Sequence, residues 1–257
     1  MPQGDSHSCP KIVGHAGGGA LAPRNTIAGI LAGLAAGVDV VELDVRRASP
    51  HRTLLDRLRR RAAGPRPAGL VLAHDQHQAR PGRALAFDEA LSFLARSSPR
   101  STELLIDLKA DDIEEEVVAA LDLAGLTERA IVCAGSVDIL RRLRQGHREV
   151  RRAWSVENSR QAAAAGLGPD ERDAPGHAAA AVRQGLAELL SVHRSLATPA
   201  FIDAVHDAGG LVYAWDVNRR RDAEALVAAG VDGLIGDDPL LLRSACDDSS
   251  PAPWTSN

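Results

Sequence analysis

The sequence predicts a (β/α)8 barrel of the TIM type. Three observations carry that expectation. Short runs rich in Val, Ile and Leu alternate with longer segments of helical spacing, the pattern of repeated βα units around a parallel sheet. Several of the apolar runs end on ionisable residues, and the C-terminal strand ends of such a barrel converge on one face. The 257 residues, 45% hydrophobic and 25% charged, suit one large globular domain with a sizeable core.

In chain order the strand candidates are "KIVGH", "VDVVELDV", "GLVLAHD", "ELLIDLK", "AIVCAG", "RRAWSV", "ELLSVH", "LVYAWDVN" and "DGLIGD". Helical spacing marks Thr26 to Ala36, Leu54 to Ala63, Phe87 to Ala95, Ile113 to Ala124, Val137 to Gln145, Pro199 to Ala208 and Arg220 to Ala229. Nine strand candidates compete for eight places. The weakest are "RRAWSV" and "ELLSVH", because the stretch between them, 157–187, is Ala-rich and poorly patterned. The expected organisation is a polar tail over 1–10, a single barrel domain over 11–245 and a second tail over 246–257. An insertion at about 46–69 has room for an extra helix with basic flanks.

Composition narrows the function. A net charge of -4, with the basic run "DRLRRRAAGPRPAG" balanced by acids elsewhere, speaks against a nucleic-acid partner. Three scattered cysteines, Cys9, Cys133 and Cys246, suggest neither a disulfide framework nor a CxxC metal site, and a reducing cytoplasm is expected. The longest apolar stretch, Ile27 to Val38, is far short of the ~20 residues of a membrane span.

The chemistry is legible at the strand ends. His15 closes the first candidate, Glu42 and Asp44 the second, His74 and Asp75 the third, Asp107 and Lys109 the fourth. Residues two apart on a strand point the same way, so Glu42 pairs with Asp44 and Asp107 with Lys109. Three carboxylates without a cysteine or histidine cluster describe an oxygen-rich site for a divalent cation, Mg2+ or Ca2+ rather than zinc. The glycines in "HAGGGALAPRNT" lack the Lys-Ser/Thr ending of a P-loop and the spacing of a dinucleotide fingerprint. Gly17, Gly18 and Gly19 are therefore expected to give clearance beside His15, with their N–H groups available to a phosphate oxygen as a secondary role.

These residues resemble the glycerophosphodiester phosphodiesterase family, part of the phospholipase-C-like phosphodiesterase barrels. The family opens with His-Arg-Gly and Pro-Glu-Asn-Thr; here stand "HAG" and "PRNT". Its Glu-x-Asp-Val appears as "ELDV", its His-Asp as "HD", its Glu-x-Lys as "DLK", its Trp-Thr-Val-Asn as "WDVN", and its late Gly-Val-Asp-Gly with Asp-x-Pro as "GVDGLIGDDP". The resemblance implies a metal-dependent phosphodiesterase acting on a small or lipid-derived phosphodiester. Water or a neighbouring substrate hydroxyl would be the nucleophile. By the same resemblance His15 and His74 are the acid-base pair, and Glu42, Asp44 and Asp107 hold the cation. Lys109 contacts the phosphate and Trp215 lines the substrate pocket.

The departures matter equally. The family arginine after the first histidine is Ala16, and the glutamate before Asn-Thr is Arg24, which is placed to return to the site and bind phosphate instead. Asp107 replaces a glutamate and Asp216 a threonine. Together they mark a divergent member with an altered substrate. The alternative is a barrel that has lost hydrolysis and binds a phosphoester or catalyses another metal-assisted reaction. Retention of both histidines favours the enzyme.

Overall fold

The structure, a computed structural model, describes residues 9–49, 69–80, 83–167, 170 and 173–247. Among them nine strands share one sheet: β1 (Lys11–Gly14), β2 (Val40–Arg47), β3 (Leu70–Leu72), β4 (Glu103–Leu108), β5 (Ala130–Ala134), β6 (Arg151–Val156), β7 (Leu189–His193), β8 (Leu211–Trp215) and β9 (Gly233–Gly236). Eight of them close into a parallel barrel, with β1 joined to β2 on one side and to β9 on the other. The ninth, β3, runs antiparallel on the outgoing end of β2, pairing Leu72 with Val45 and Leu70 with Arg47.

This corrects the surplus strand. The segment outside the barrel is "GLVLAHD", whereas "RRAWSV" and "ELLSVH" are the barrel strands β6 and β7, in register from Ala153 opposite Leu189 to Val156 opposite Val192. The flanking pattern is weak for a physical reason. The longer of the two helices between them, Ala174–Arg183, buries Ala174, Ala178, Ala179 and Ala181 together with His177. A helix of alanines packed on several sides has little contrast between its faces.

The other helices are α1 (Ile27–Ala35), α2 (Phe87–Ser97), α3 (Glu114–Leu123), α4 (Val137–Gly146), α5 (Ser159–Ala164), α7 (Pro199–His206), α8 (Arg220–Ala229) and α9 (Pro239–Asp247), with Ala174–Arg183 as α6. Thr26 caps α1, its hydroxyl accepting from the N–H of Gly29 at 3.1 Å, a contact that contributes about 1 kcal/mol. Helix α9 carries buried Cys246 and reaches Asp247, so it takes in two residues expected in the tail. The expected helix Leu54 to Ala63 lies outside the described residues.

Strand alternation divides the core in two. Val13, Val40, Leu105, Ile131, Ala153, Leu189, Tyr213 and Ile235 point inward and fill the barrel as one cluster. Their neighbours, among them Val41, Leu43, Ile106, Val132, Leu190 and Val212, face outward against the helices. The same period of two, continued one step beyond the filled layer, decides what lines the mouth.

Candidate active site

Stepping two residues onward from the inward layer gives His15 after Val13, Glu42 and Asp44 after Val40, and Asp107 after Leu105. The same step gives Ser155 after Ala153, Ser191 after Leu189, Trp215 after Tyr213 and Asp237 after Ile235. The register holds Glu42 opposite Leu105 and Asp44 opposite Asp107. At this end lies a cavity of about 500 Å3 whose lining includes His15, Arg24, Glu42, His74, Asp107, Lys109, Ser155, Ser191, Trp215 and Asp216. His74 arrives differently: β3 turns the chain back over the end of β2, and Arg46 holds the return by donating to the carbonyl of His74 at 3.1 Å. Asp75, beside it, accepts from the N–H groups of His77 and Gln78 and so shapes the turn.

Each charged group has an identifiable setting. Asp44 is 2% exposed, and Asn25 grips it twice, donating Nδ2–H to Oδ2 at 2.9 Å and accepting its N–H at 3.2 Å. Asn25 does so from a left-handed backbone, φ 56°, which Asn tolerates better than most residues. Glu42 accepts the N–H of Ala16 at 2.7 Å; burial first, then the Asp44 carboxylate, push its pKa up to about 8 against the opposing pull of His15 and Lys109. Burial likewise raises Asp107, although Lys109 works against it. Lys109 reaches Asp107 at 2.6 Å and Asp44 at 3.2 Å, and not Asp111 or Asp112. Burial alone would lower its pKa; Asp107, Asp44 and Glu42 outweigh that and hold it well above the ordinary lysine range.

His15 donates through Nδ1 to Asp237 at 2.9 Å. Burial pushes its pKa down, but the Asp237 hydrogen bond and the Glu42 and Asp44 charges carry it up to about 9. Arg24 closes on the other oxygen of Asp237, so it returns to the cavity rather than pointing away. Trp215 meets His193 edge-on, ring centroids 5.1 Å apart.

The donor set fits a divalent cation. Oδ1 of Asp44 is buried and has no hydrogen bond of good geometry, only the Lys109 ammonium at 3.2 Å, and Asp44 lies with Glu42 and His15 in a group whose possible ligand atoms are all within 4.8 Å of one another. A hard cation satisfies such an oxygen better than any neutral partner. Asp107 stands across from Asp44 but outside that group, its carboxylate taken by Lys109.

One expected role is corrected. Gly17 is not among the residues lining the cavity, and its N–H is held by the carbonyls of Gly14 and Glu42, leaving none for a phosphate. Its φ of 98° and a Cβ position 2.7 Å from the backbone of Gly29 and Ile30 show that its missing side chain serves the packing of α1 on the loop after β1. Residues the sequence does not single out are Asn25, Asp237, Ser155 and Ser191. The serines were within reach by counting inward positions, and Asn25 stands in "PRNT". Asp237 ends the strand candidate "DGLIGD" and opens the Asp-x-Pro of "GVDGLIGDDP", but its pairing with His15 needs the closure of β9 on β1, which no local pattern reveals.

The chain was compared with known proteins. The glycerophosphoryl diester phosphodiesterase family is matched over residues 73–241. No curated protein sequence matches. Solved structures resemble it at low identity. A glycerophosphodiester phosphodiesterase from Agrobacterium tumefaciens is 20% identical, with 92% of this chain and 98% of that one covered at a TM-score of 0.65. One from Parabacteroides distasonis is 15% identical, with 95% and 99% covered at 0.69. A phosphodiesterase from Oleispira antarctica, in complex with the product sn-glycerol-3-phosphate, is 18% identical, with 93% and 97% covered at 0.65. These likenesses bear out the barrel.

Proposed function

The chain belongs to the glycerophosphoryl diester phosphodiesterase family, a family of phosphoric diester hydrolases, and from that premise we propose that it cleaves a glycerophosphodiester or another small, lipid-derived phosphodiester with a divalent cation and a histidine pair. The observation that carries this reading is the convergence of His15, His74, Glu42, Asp107 and Lys109 on one cavity at the barrel mouth.

Glu42, Asp44 and Asp107 are the residues to hold the cation, Mg2+ or Ca2+, which when bound supplies Lewis-acid polarisation of a phosphoryl oxygen. Lys109, kept cationic by the carboxylates around it, binds an equatorial phosphate oxygen. Charge builds on those oxygens as the nucleophile approaches, so a fixed ammonium there favours the transition state over the ground state. Arg24, which lines the same cavity, reaches the same anion. His15, with Nδ1–H on Asp237 and a pKa near 9, carries a proton at neutral pH and delivers it from Nε2 to the leaving alkoxide. His74 takes the proton of the attacking water, or of a neighbouring substrate hydroxyl when the product is cyclic. Trp215 packs on the organic part of the substrate.

No helix among the described residues is long and apolar enough to cross a membrane. None of Cys9, Cys133 and Cys246 forms a disulfide, and a place in the cytoplasm, in lipid metabolism, is part of this reading. Phosphorus NMR of a panel of glycerophosphodiesters with Mg2+, Ca2+ or Mn2+ tests it directly. Conversion to a phosphomonoester or cyclic phosphate, stopped by chelator, is expected. Binding of phosphoesters with no turnover under any cation would refute hydrolysis and leave a phosphoester-binding barrel.

A further inference from the structure

We propose that Asp237 is a positioning residue for the reaction: one oxygen fixes the His15 ring while the other parks Arg24 over the cavity until a phosphate draws the guanidinium away. The proposal rests on the reading of His15 as the proton donor and of Arg24 as a phosphate contact.

The carboxylate is itself tightly placed. The carbonyl of Gly236 accepts the N–H of His15 at 3.0 Å, and the carbonyl of Asp237 accepts the N–H of Ala20 at 2.9 Å, so the loops after β1 and β9 are laced together on both sides of the pair. The side-chain amide oxygen of Asn218 accepts the N–H of Asp237 at 2.9 Å, which ties the loop after β8 to the same point. The Asp237 side chain is 18% exposed, so water competes little for either oxygen. Oδ1 accepts from His15 Nδ1 at 2.9 Å and Oδ2 pairs with Arg24.

The neighbouring glycine agrees with this assignment. A Cβ on Gly19 would lie 2.8 Å from both Arg24 Nε and Asp237 Oδ1. A side chain there would push the pair apart, so the loop after His15 is shaped around it.

The consequences divide between the two oxygens. An acceptor on Nδ1 leaves the neutral ring protonated there, with Nε2 for the substrate; without it the ring is free to turn and to exchange tautomers. Arg24, 52% exposed on its side chain, has an ion pair that an incoming phosphate can replace with a bidentate one. Handing over the guanidinium leaves Asp237 serving His15 alone.

The test uses full-length protein labelled with 15N at histidine, the His15 signal being assigned by its loss in His15→Gln. At alkaline pH, where the ring is neutral, the wild type should show Nδ1 protonated. Asp237→Ala should shift His15 toward the Nε2–H form. Its kcat should fall 10- to 100-fold, the usual cost of removing a group that orients a functional histidine, with KM changed far less. Asp237→Asn, nearly isosteric and so a guard against a misfolded alanine variant, has one acceptor oxygen for two donors; with Arg24 on that oxygen its amide NH2 faces Nδ1, so this variant should also shift His15 toward the Nε2–H form and lower kcat at least as far. An unchanged tautomer in Asp237→Ala overturns the proposal. So does wild-type kcat in that variant. If no phosphodiester is turned over by any form, the assigned activity has failed, and the tautomer signature alone decides the role of Asp237.

Discussion

Lys109 donates to Asp107 at 2.6 Å, so the cation that should meet phosphate is paired with a carboxylate that should meet a metal. A divalent ion on Glu42, Asp44 and Asp107 would compete with the lysine for Asp107 and must also displace the proton that burial and Asp44 hold on Glu42 up to about pH 8. Affinity for Ca2+ or Mg2+ should therefore rise by roughly tenfold per pH unit below that value and level off above it, because one proton leaves for each ion bound. Calorimetric titration of EDTA-treated protein at several pH values measures this. A flat profile would remove Glu42 from the ligand set.

The histidine pair makes a kinetic prediction. His15→Ala and His74→Ala should each lower kcat by about 100-fold, within the usual range for a general acid or base, while circular dichroism and Tm show the barrel intact. His74 is exposed, so a folding defect is not expected to obscure its effect. Near-normal turnover in either variant assigns that residue a structural role.

Legibility in the sequence followed the range of the interactions. The period of two carried Glu42, Asp44, Asp107 and Lys109 to the barrel interior because strand alternation is local. It could not distinguish β3 from a barrel strand, since Leu70, Val71 and Leu72 read the same whether their partner is parallel or antiparallel. The buried alanines of α6 hid two true strands by removing the contrast on which periodicity depends. The pairing of Asp237 with His15 was least legible: it spans 222 residues of sequence and exists only because β9 closes on β1.

Stability should fall with rising pH in the EDTA-treated protein. His15 is raised from 6.5 to about 9 and Glu42 from 4.5 to about 8, so the folded chain binds both protons more tightly than the unfolded one. Such stabilisation is complete below the unfolded values and is lost as pH passes through the folded ones. Asp237, lowered chiefly by its hydrogen bond to His15, acts in the opposite sense and is lost only in acid. Calorimetric scans should show Tm declining from about pH 5 to 9 by this linkage. Glu42→Gln should flatten the decline, and added Ca2+ should reverse it at pH 8. A Tm that climbs over this interval contradicts the assigned shifts.

The last expectation concerns the phosphate cation. Ala16 stands where the family has arginine, is fully buried, and has its N–H committed to Glu42. Arg24 lines the cavity eight residues later and is the cation from that loop that reaches it. A charge-assisted hydrogen bond to an anion contributes about 1.5 to 3 kcal/mol, so Arg24→Ala should raise KM by roughly 10- to 100-fold for a phosphodiester. Arg24→Lys keeps the charge but not the fork and should recover part of it. Ala16→Arg in the Arg24→Ala background should recover less, because the new side chain must displace packed neighbours before it reaches the anion. Steady-state kinetics on one substrate decides between them. Unchanged KM in Arg24→Ala would leave Lys109 and the cation to bind the phosphate, and would reduce the Arg24 ion pair to a tether on Asp237.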